Sequence, residues 1–204
     1  MLACLSTPYR RSIVKNLKTD MMREQDVILV NDQDEQIGTM GKMEAHRKAH
    51  LHRAFSVFIF NAKGEMLLQR RALNKYHSGG LWTNACCSHP LPGEDTADAA
   101  KRRLREEMGF DTPLHKAFTF TYKAVFDNGL TEFEFDHVFI GHYDGPIAAN
   151  RDEVSDYTYK SVEEVRSNLS SHPHKYTEWF RIALPRLDEY MVSNGVGRKQ
   201  AATA

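Results

Sequence analysis

Between Thr131 and Tyr143 the chain alternates acids and aromatics. Glu132, Glu134 and Asp136 take one parity, and Phe133, Phe135 and Phe139 take the other. Successive side chains of a strand point to opposite faces, so the acids share one face. That face is either the solvated side of a half-buried strand or one wall of a metal site, and the second reading needs partners. His46 and His52 flank the start of an aromatic run, and His89 stands two residues after Cys87. Imidazoles beside carboxylates suit a divalent cation. Spacing alone does not select them, because His50 and His115 are equally available. Cys87, followed by Ser88-His89-Pro90, reads first as a buried structural thiol, and Trp82, Tyr122 and Trp179 read first as core aromatics. Arg70, Arg71 and Lys75 form a basic cluster, while Arg102 and Glu106, like Arg103 and Glu107, stand four apart. On a helix such pairs share a face, which could offer a cation to a phosphate and a carboxylate to its Mg²⁺.

Several elements must hold these groups. Val27–Val30 reads as a strand, Asn31–Gln36 as a turn into a second short strand, and Lys42–Lys48 as a helix. His52–Asn61 and Met66–Arg71 read as a hairpin about the turn Asn61-Ala-Lys-Gly64, and Leu81–Cys87 as one strand. Asp95 or Thr96 caps a helix whose apolar stripe is Ala97, Ala100, Leu104 and Met108 and whose end is Gly109. Ala117–Phe126 and Thr131–Tyr143 are strands joined by Asp127-Asn-Gly129, a strong hairpin turn. Val154–Lys160 adds a strand, and Ser161–Ser170 and Glu178–Val192 add helices. Strands alternating with helices and closing on hairpins imply an α/β or α+β fold, a mixed sheet packed between helices.

The chain has 204 residues with 41% hydrophobic and 26% charged, enough for one globular domain with appendages. We divide it into an N-terminal extension over 1–25, partly disordered, a domain over 26–193 and a flexible tail over 194–204. Twenty-seven basic residues balance 27 acidic ones, so no overall field draws in nucleic acid or an anionic membrane. The longest strongly apolar stretch, Phe55–Phe60, is far below a membrane span, which leads us to expect a soluble protein. Cys4, Cys86 and Cys87 make no disulfide framework, so a reducing, cytoplasmic setting is expected. Arg10, Arg11, Lys15 and Lys18 precede any acid, a bias shared with transit peptides, but no hydrophobic core of a secretion signal accompanies them.

Thr83-Asn-Ala-Cys-Cys-Ser-His-Pro90, with Glu44-Ala-His-Arg47, Leu51-His-Arg-Ala-Phe55 and Glu132-Phe-Glu134, resembles the type I isopentenyl-diphosphate isomerases, over about residues 26 to 182. Those enzymes have the Nudix fold, whose sequence box maps onto Ser88, Glu94, Arg102, Arg103, Leu104, Glu106, Glu107, Gly109 and Phe110. Ser88 replaces the box's first glycine, and Arg103 replaces a glutamate that hydrolases use for metal. This argues against a nucleotide-diphosphate hydrolase, and a non-catalytic Nudix binding module would not need the thiol, histidines and acids together. The resemblance implies that His46, His52, His89, Glu132 and Glu134 ligate one divalent ion, Mn²⁺, Mg²⁺ or Zn²⁺. It implies that Glu107 holds a second ion, Mg²⁺, bridging to the substrate diphosphate. Lys42, Arg71, Lys75 and Arg103 would bind the diphosphate, helped by Ser88. Cys87 and Glu134 would be the acid–base pair, assisted by Tyr122, with Trp179 lining the hydrocarbon pocket. The implied partner is a small diphosphate; no nucleic acid, membrane or obligate protein partner is expected.

Overall fold

The computed structural model describes residues 25–194. The extension expected over 1–25 and the tail expected over 194–204 lie outside them, save Gln25 and Asn194. The strands are β1 (Asp26–Val30), β2 (Gln36–Gly41), β3 (His52–Phe60), β4 (Glu65–Arg71), β5 (Trp82–Thr83), β6 (Cys86–Ser88), β7 (Leu114–Val125), β8 (Thr131–His142) and β9 (Val154–Ser161). The helices are α1 (Lys42–Lys48), α2 (Thr96–Met108), α3 (Val162–Ser171) and α4 (Glu178–Ser193).

The centre of the sheet is β3, which pairs in parallel with β8 from His52↔Glu134 to Phe60↔His142. Antiparallel β7 closes the far side of β8. The other edge of β3 is shared: β1 meets it at His52, β6 at Phe55–Val57 and β4 only at Phe60. This corrects the hairpin expected between β3 and β4. The turn does form, with Asn61 Oδ1 accepting from the backbone N–H of Lys63 and Glu65. The strands then diverge, because β6 occupies the edge of β3, and β4 pairs along its length with β9.

Alternation along β3 and β8 assigns two cores. Phe55, Val57, Ile59 and Phe139 pack against Ala100, Leu104 and Met108 of α2. Phe58, Phe60, Val138 and Ile140 face Phe180, Leu184 and Leu187 of α4. The sheet is thus a mixed one between helices, as expected. Asp95 caps α2, its side chain accepting from the N–H of Ala97 and Asp98, and Ser161 with Glu164 forms a reciprocal capping box on α3. The expected strand over Leu81–Cys87 is two strands, β5 on β4 and β6 on β3. The break falls at fully buried Asn84, whose Nδ2 donates to the carbonyls of Val57 and Cys86 and so takes the place of a ladder bond.

Gly109 ends α2 at φ 76°, where an added Cβ would lie 2.3 Å from the Ala148 carbonyl oxygen. Gly129, at φ 80°, has nothing within 4 Å. Alanine at Gly129 should cost only backbone strain, about 1–2 kcal/mol, or roughly 2–8 °C of melting temperature for a domain of this size. Gly109→Ala should lose clearly more, because main chain must also move. Equal melting temperatures for the two variants would show that the Ala148 segment gives way freely.

Candidate active site

The polar groups gather where the sheet face toward α4 turns from apolar to acidic. Tyr122, Glu134 and His52 are register partners across β7, β8 and β3. One strand further over, Ser56 on β3 partners Cys87 on β6. Helix α1 crosses the start of β8 and carries Lys42 and His46, four apart and so on one face. His89 follows β6 directly. Trp179 comes from the first turn of α4, whose entry is tied to β5: Thr177 N–H donates to the Trp82 carbonyl and its hydroxyl to Thr83 Oγ1. A narrow cleft of about 40 Å³ results, lined by Lys42, Arg71, Cys87, Tyr122, Glu134 and Trp179 together with Ser88, His89, Glu132, Tyr76 and His77.

The acidic face is not solvated. Glu132, Glu134 and Asp136 are 5%, 7% and 1% exposed, which overturns the reading of a half-buried strand's wet side. Buried carboxylates need partners. Tyr122 has one hydroxyl proton for two of them, lying 2.6 Å from Glu134 Oε2 and 3.0 Å from Glu132 Oε2. Although burial works against its charge, the facing imidazoles of His52 and His89 hold the Glu134 carboxyl well below the usual range. Burial, then the charge of Glu134, pushes Asp136 well above it. Asp136 accepts from Ser56 Oγ at 2.8 Å. Neighbouring acids on one strand therefore sit in opposite protonation states.

His46, His52, His89 and Glu134 place one ligand atom each within 4.8 Å of one another. His46 Nδ1 donates to the Lys42 carbonyl at 2.6 Å and His52 Nδ1 to the His50 carbonyl at 2.8 Å. With Nδ1 engaged by a backbone carbonyl, Nε2 is the nitrogen that each ring can offer to a cation. His46 Nε2 is buried without a hydrogen-bond partner, and His52 Nε2 lies 3.2 Å from His89 Nε2, which is 2.9 Å from Glu134 Oε1. One ring proton cannot satisfy that many acceptors. Adjacent ligands of a single ion at about 2.1 Å stand about 3 Å apart, so the donor set fits a divalent cation. Burial, then Lys42, lowers His89 to about 3, which leaves this imidazole neutral. Glu132 stands outside that group and forms another with His46 and His77. His50 and His115 are exposed and take no part in either group.

Cys87 is held on three sides. Its thiol donates to Asn84 Oδ1 at 2.9 Å, it accepts from Trp179 Nε1 at 3.1 Å, and Ser56 Oγ lies at 3.5 Å. Burial, then the Asp136 side chain, pushes the thiol up, so it is protonated. Arg71 lies over the Trp179 ring at 5.1 Å with its Nε unpartnered. The remaining expected groups form an adjoining network. Arg103 Nη2 donates to Glu107 Oε1 at 2.7 Å and Glu153 Oε1 at 3.3 Å, Nη1 donates to Glu106 at 2.6 Å, and Lys75 pairs with Glu153. Glu107 Oε2 accepts from Gln69 Nε2 at 3.1 Å. Lys75, Arg103 and Glu107 thus stand together but do not line the cleft, and Arg103 is already matched by carboxylates.

Sequence reasoning missed Asn84, Ser56, Glu153 and His77. Asn84 carried a signal, since asparagine is depleted in strand interiors. The others reach the site only through register and loop path.

The chain matches the NUDIX domain over residues 50–180. It is similar to solved structures that bear on the fold. One is the Deinococcus radiodurans protein DR0079, with TM-score 0.68, 19% identity, and coverage of 79% of this chain and 98% of that one. Another is a MutT protein from Methanosarcina mazei, with TM-score 0.57, 22% identity, and coverage of 68% and 94%. Among curated proteins, isopentenyl-diphosphate Delta-isomerase 2 of Aromatoleum aromaticum is 49% identical over 174 residues, 85% of this chain and 92% of its own length. The protein of the same name from Photorhabdus laumondii is 52% identical over 155 residues, 76% and 88% of the two chains. With such identity running along nearly the whole of these relatives, and a NUDIX domain beneath it, the chain belongs to the isopentenyl-diphosphate Delta-isomerases of the Nudix superfamily.

Proposed function

We propose that the chain interconverts isopentenyl diphosphate and dimethylallyl diphosphate, supplying precursors for isoprenoid synthesis, with Cys87 and Glu134 as the acid–base pair. The observation that carries this reading is that Cys87 and Glu134 line one narrow cleft, where burial pushes the thiol up and the facing imidazoles hold the carboxyl down. Shifting the double bond adds a proton at the terminal methylene and removes another from C2. No carbonyl acidifies the C2 proton, so protonation comes first and gives a tertiary carbocation. An alkene is a poor base, and the acid must be held close to it where water is excluded. The pair starts with one proton to give, on Cys87, and one carboxylate to receive, at Glu134, which is the least the exchange requires. Tyr122 bridges Glu134 to Glu132 and can move the proton onward. Trp179 closes the hydrocarbon end and steadies the thiol through its ring N–H.

His46, His52, His89, Glu132 and Glu134 would hold the divalent ion, Mn²⁺, Mg²⁺ or Zn²⁺. When bound, it supplies fixed positive charge beside Glu134 and so sets how readily that carboxyl takes or yields a proton. Glu107 would hold the Mg²⁺ that accompanies the diphosphate. Lys42 and Arg71 line the cleft and would meet the diphosphate first, with Ser88 beside them, while Lys75 and Arg103 stand behind in the network with Glu153. A reducing cytoplasmic location suits the free thiols Cys86 and Cys87.

The direct test is purified protein with isopentenyl diphosphate and Mg²⁺. Dimethylallyl diphosphate should form without free phosphate, deuterium from heavy water should enter the new methyl group, and prolonged chelation should abolish turnover. Release of phosphate, or full activity in excess chelator, would overturn the reading. Cys87→Ala should lower kcat by at least the 10²- to 10⁴-fold typical of one general acid or base, with metal content unchanged. Near-normal turnover would make the thiol structural. Burial pulls the Lys42 ammonium down to about 8, against the attraction of Glu134. Its charge is present below that pH and lost above it, so kcat/KM should fall above about pH 8. Lys42→Met should lack this alkaline limb and raise KM by about 10- to 100-fold, the worth of a charge-assisted hydrogen bond. An unchanged limb would assign it to another group.

A further inference from the structure

The Cys87 thiol belongs to a chain of hydrogen bonds that the proton exchange itself does not call for. Asn84 is fully buried, and all four hydrogen-bonding directions of its side chain are taken. Nδ2 donates to the carbonyls of Val57 at 3.1 Å and Cys86 at 2.9 Å, while Oδ1 accepts from Thr83 Oγ1 and from the Cys87 thiol, each at 2.9 Å. A reversed carboxamide would set its oxygen against two carbonyl oxygens, so the amide has one orientation. Asn84 therefore meets the sulfur as a fixed acceptor.

The chain continues to α4. Thr83 Oγ1 accepts from Thr177 Oγ1 at 3.0 Å, and both residues are fully buried. Thr177 stands at the N-cap of α4, where a threonine hydroxyl ordinarily accepts from a backbone N–H in the first turn. Here it makes no such bond and turns to Thr83 instead. Two residues further along, Trp179 Nε1 donates to Cys87 Sγ at 3.1 Å. The bonds form a ring that leaves the start of α4 at Thr177, passes through Thr83, Asn84 and Cys87, and returns at Trp179.

We propose that Asn84 is a positioning residue of the reaction, which with the Thr83–Thr177 link fixes the Cys87 sulfur and the direction of its S–H. The inference rests on the reading of Cys87 as the acid. Held by Asn84 on one side and Trp179 on the other, the sulfur has one place in the cleft wall, and Asn84 is not among the residues that line the cleft. The resting S–H thus points away from the substrate. Rotation about Cβ–Sγ alone, with the sulfur unmoved, brings the proton to the alkene. Without Asn84 the side chain is free to change its χ1 rotamer, and the near-attack distance is lost.

The test reads the infrared S–H stretching band of Cys87 in the full chain, assigned as the band missing from Cys87→Ala, beside kcat and KM for isopentenyl diphosphate. Asn84→Ala should move the band to higher wavenumber, the direction of an unbonded thiol, and lower kcat by about 10- to 100-fold with KM near that of wild type. Thr83→Val keeps the side-chain shape and both bonds from Asn84 to the main chain. It should move the band the other way, because Oδ1 then accepts from the thiol alone, and lower kcat by about 10-fold. Should Asn84→Ala not fold, Thr83→Val decides alone. An unmoved band, wild-type kcat despite a moved band, or a loss confined to KM would overturn the positioning role. Cys87→Ala separates the two readings. If it is inactive while the Asn84 and Thr83 variants keep wild-type kcat, only the positioning role falls; if it turns over near-normally, the thiol is not the acid and both fall.

Discussion

The parallel pairing of β3 with β8 is the constraint on which the site depends. It sets His52 beside Glu134 in register, and the antiparallel pairing of β7 then sets Tyr122 beside Glu134. Parallel strands need a long crossover, and here it runs through β4, β5, β6, α2 and β7. Groups far apart in the chain therefore meet only if that pairing forms. A slip of one residue would turn the acids of β8 to the opposite face and put Phe133 and Phe135 into the cleft. Hydrophobic alternation protects the register, because Val138 and Ile140 must reach the α4 core and Phe139 the α2 core.

Burying so many titratable groups in one place is costly unless each has a partner, and the cleft divides them into charged and neutral states. Glu134 is held ionised by imidazoles that face it, while Asp136, two residues on, is held neutral by burial and by the charge on Glu134. Cys87 stays a thiol between an amide acceptor and an indole donor. Ser56 stands between the last two, within 2.8 Å of Asp136 and 3.5 Å of Cys87. The histidines remain short of donors, which is the chemical reason for placing a cation among them. A bound ion would satisfy nitrogens and carboxylates at once, so metal binding and the packing of this end of the sheet are coupled.

Helix α2 shows how a shared fold is put to another use. Its glutamates point toward β4 and the loops beside it, but Arg103 stands where hydrolases of the superfamily use a metal-binding glutamate. Here it binds Glu106, Glu107 and Glu153. That arrangement replaces one negative charge by a positive one on the face behind the cleft. It lowers the capacity of the helix to gather cations, since the guanidinium occupies the three carboxylates around it. The thiol and the buried acidic face lie across the sheet, on β6 and β8.

The sequence by itself determined most of the elements, because local rules govern them. Period-two alternation marked β8, Asp127-Asn-Gly129 marked its hairpin, Asp95 and Gly109 bracketed α2, and the resemblance in Thr83–Pro90 pointed to the family. Local rules did not disclose that the acids are buried, since alternation looks the same whether water or protein covers the polar face. Nor did they split Leu81–Cys87 at Asn84 or part β4 from β3, because those outcomes depend on which strand occupies each edge. His77, Ser56 and Glu153 join the site by loop path and register alone. Spacing left His50 and His52 equivalent, the resemblance favoured His52, and the tertiary structure supplies the physical reason. One lends its carbonyl and stays in solvent, while the other turns its ring into the buried face because β3 begins between them.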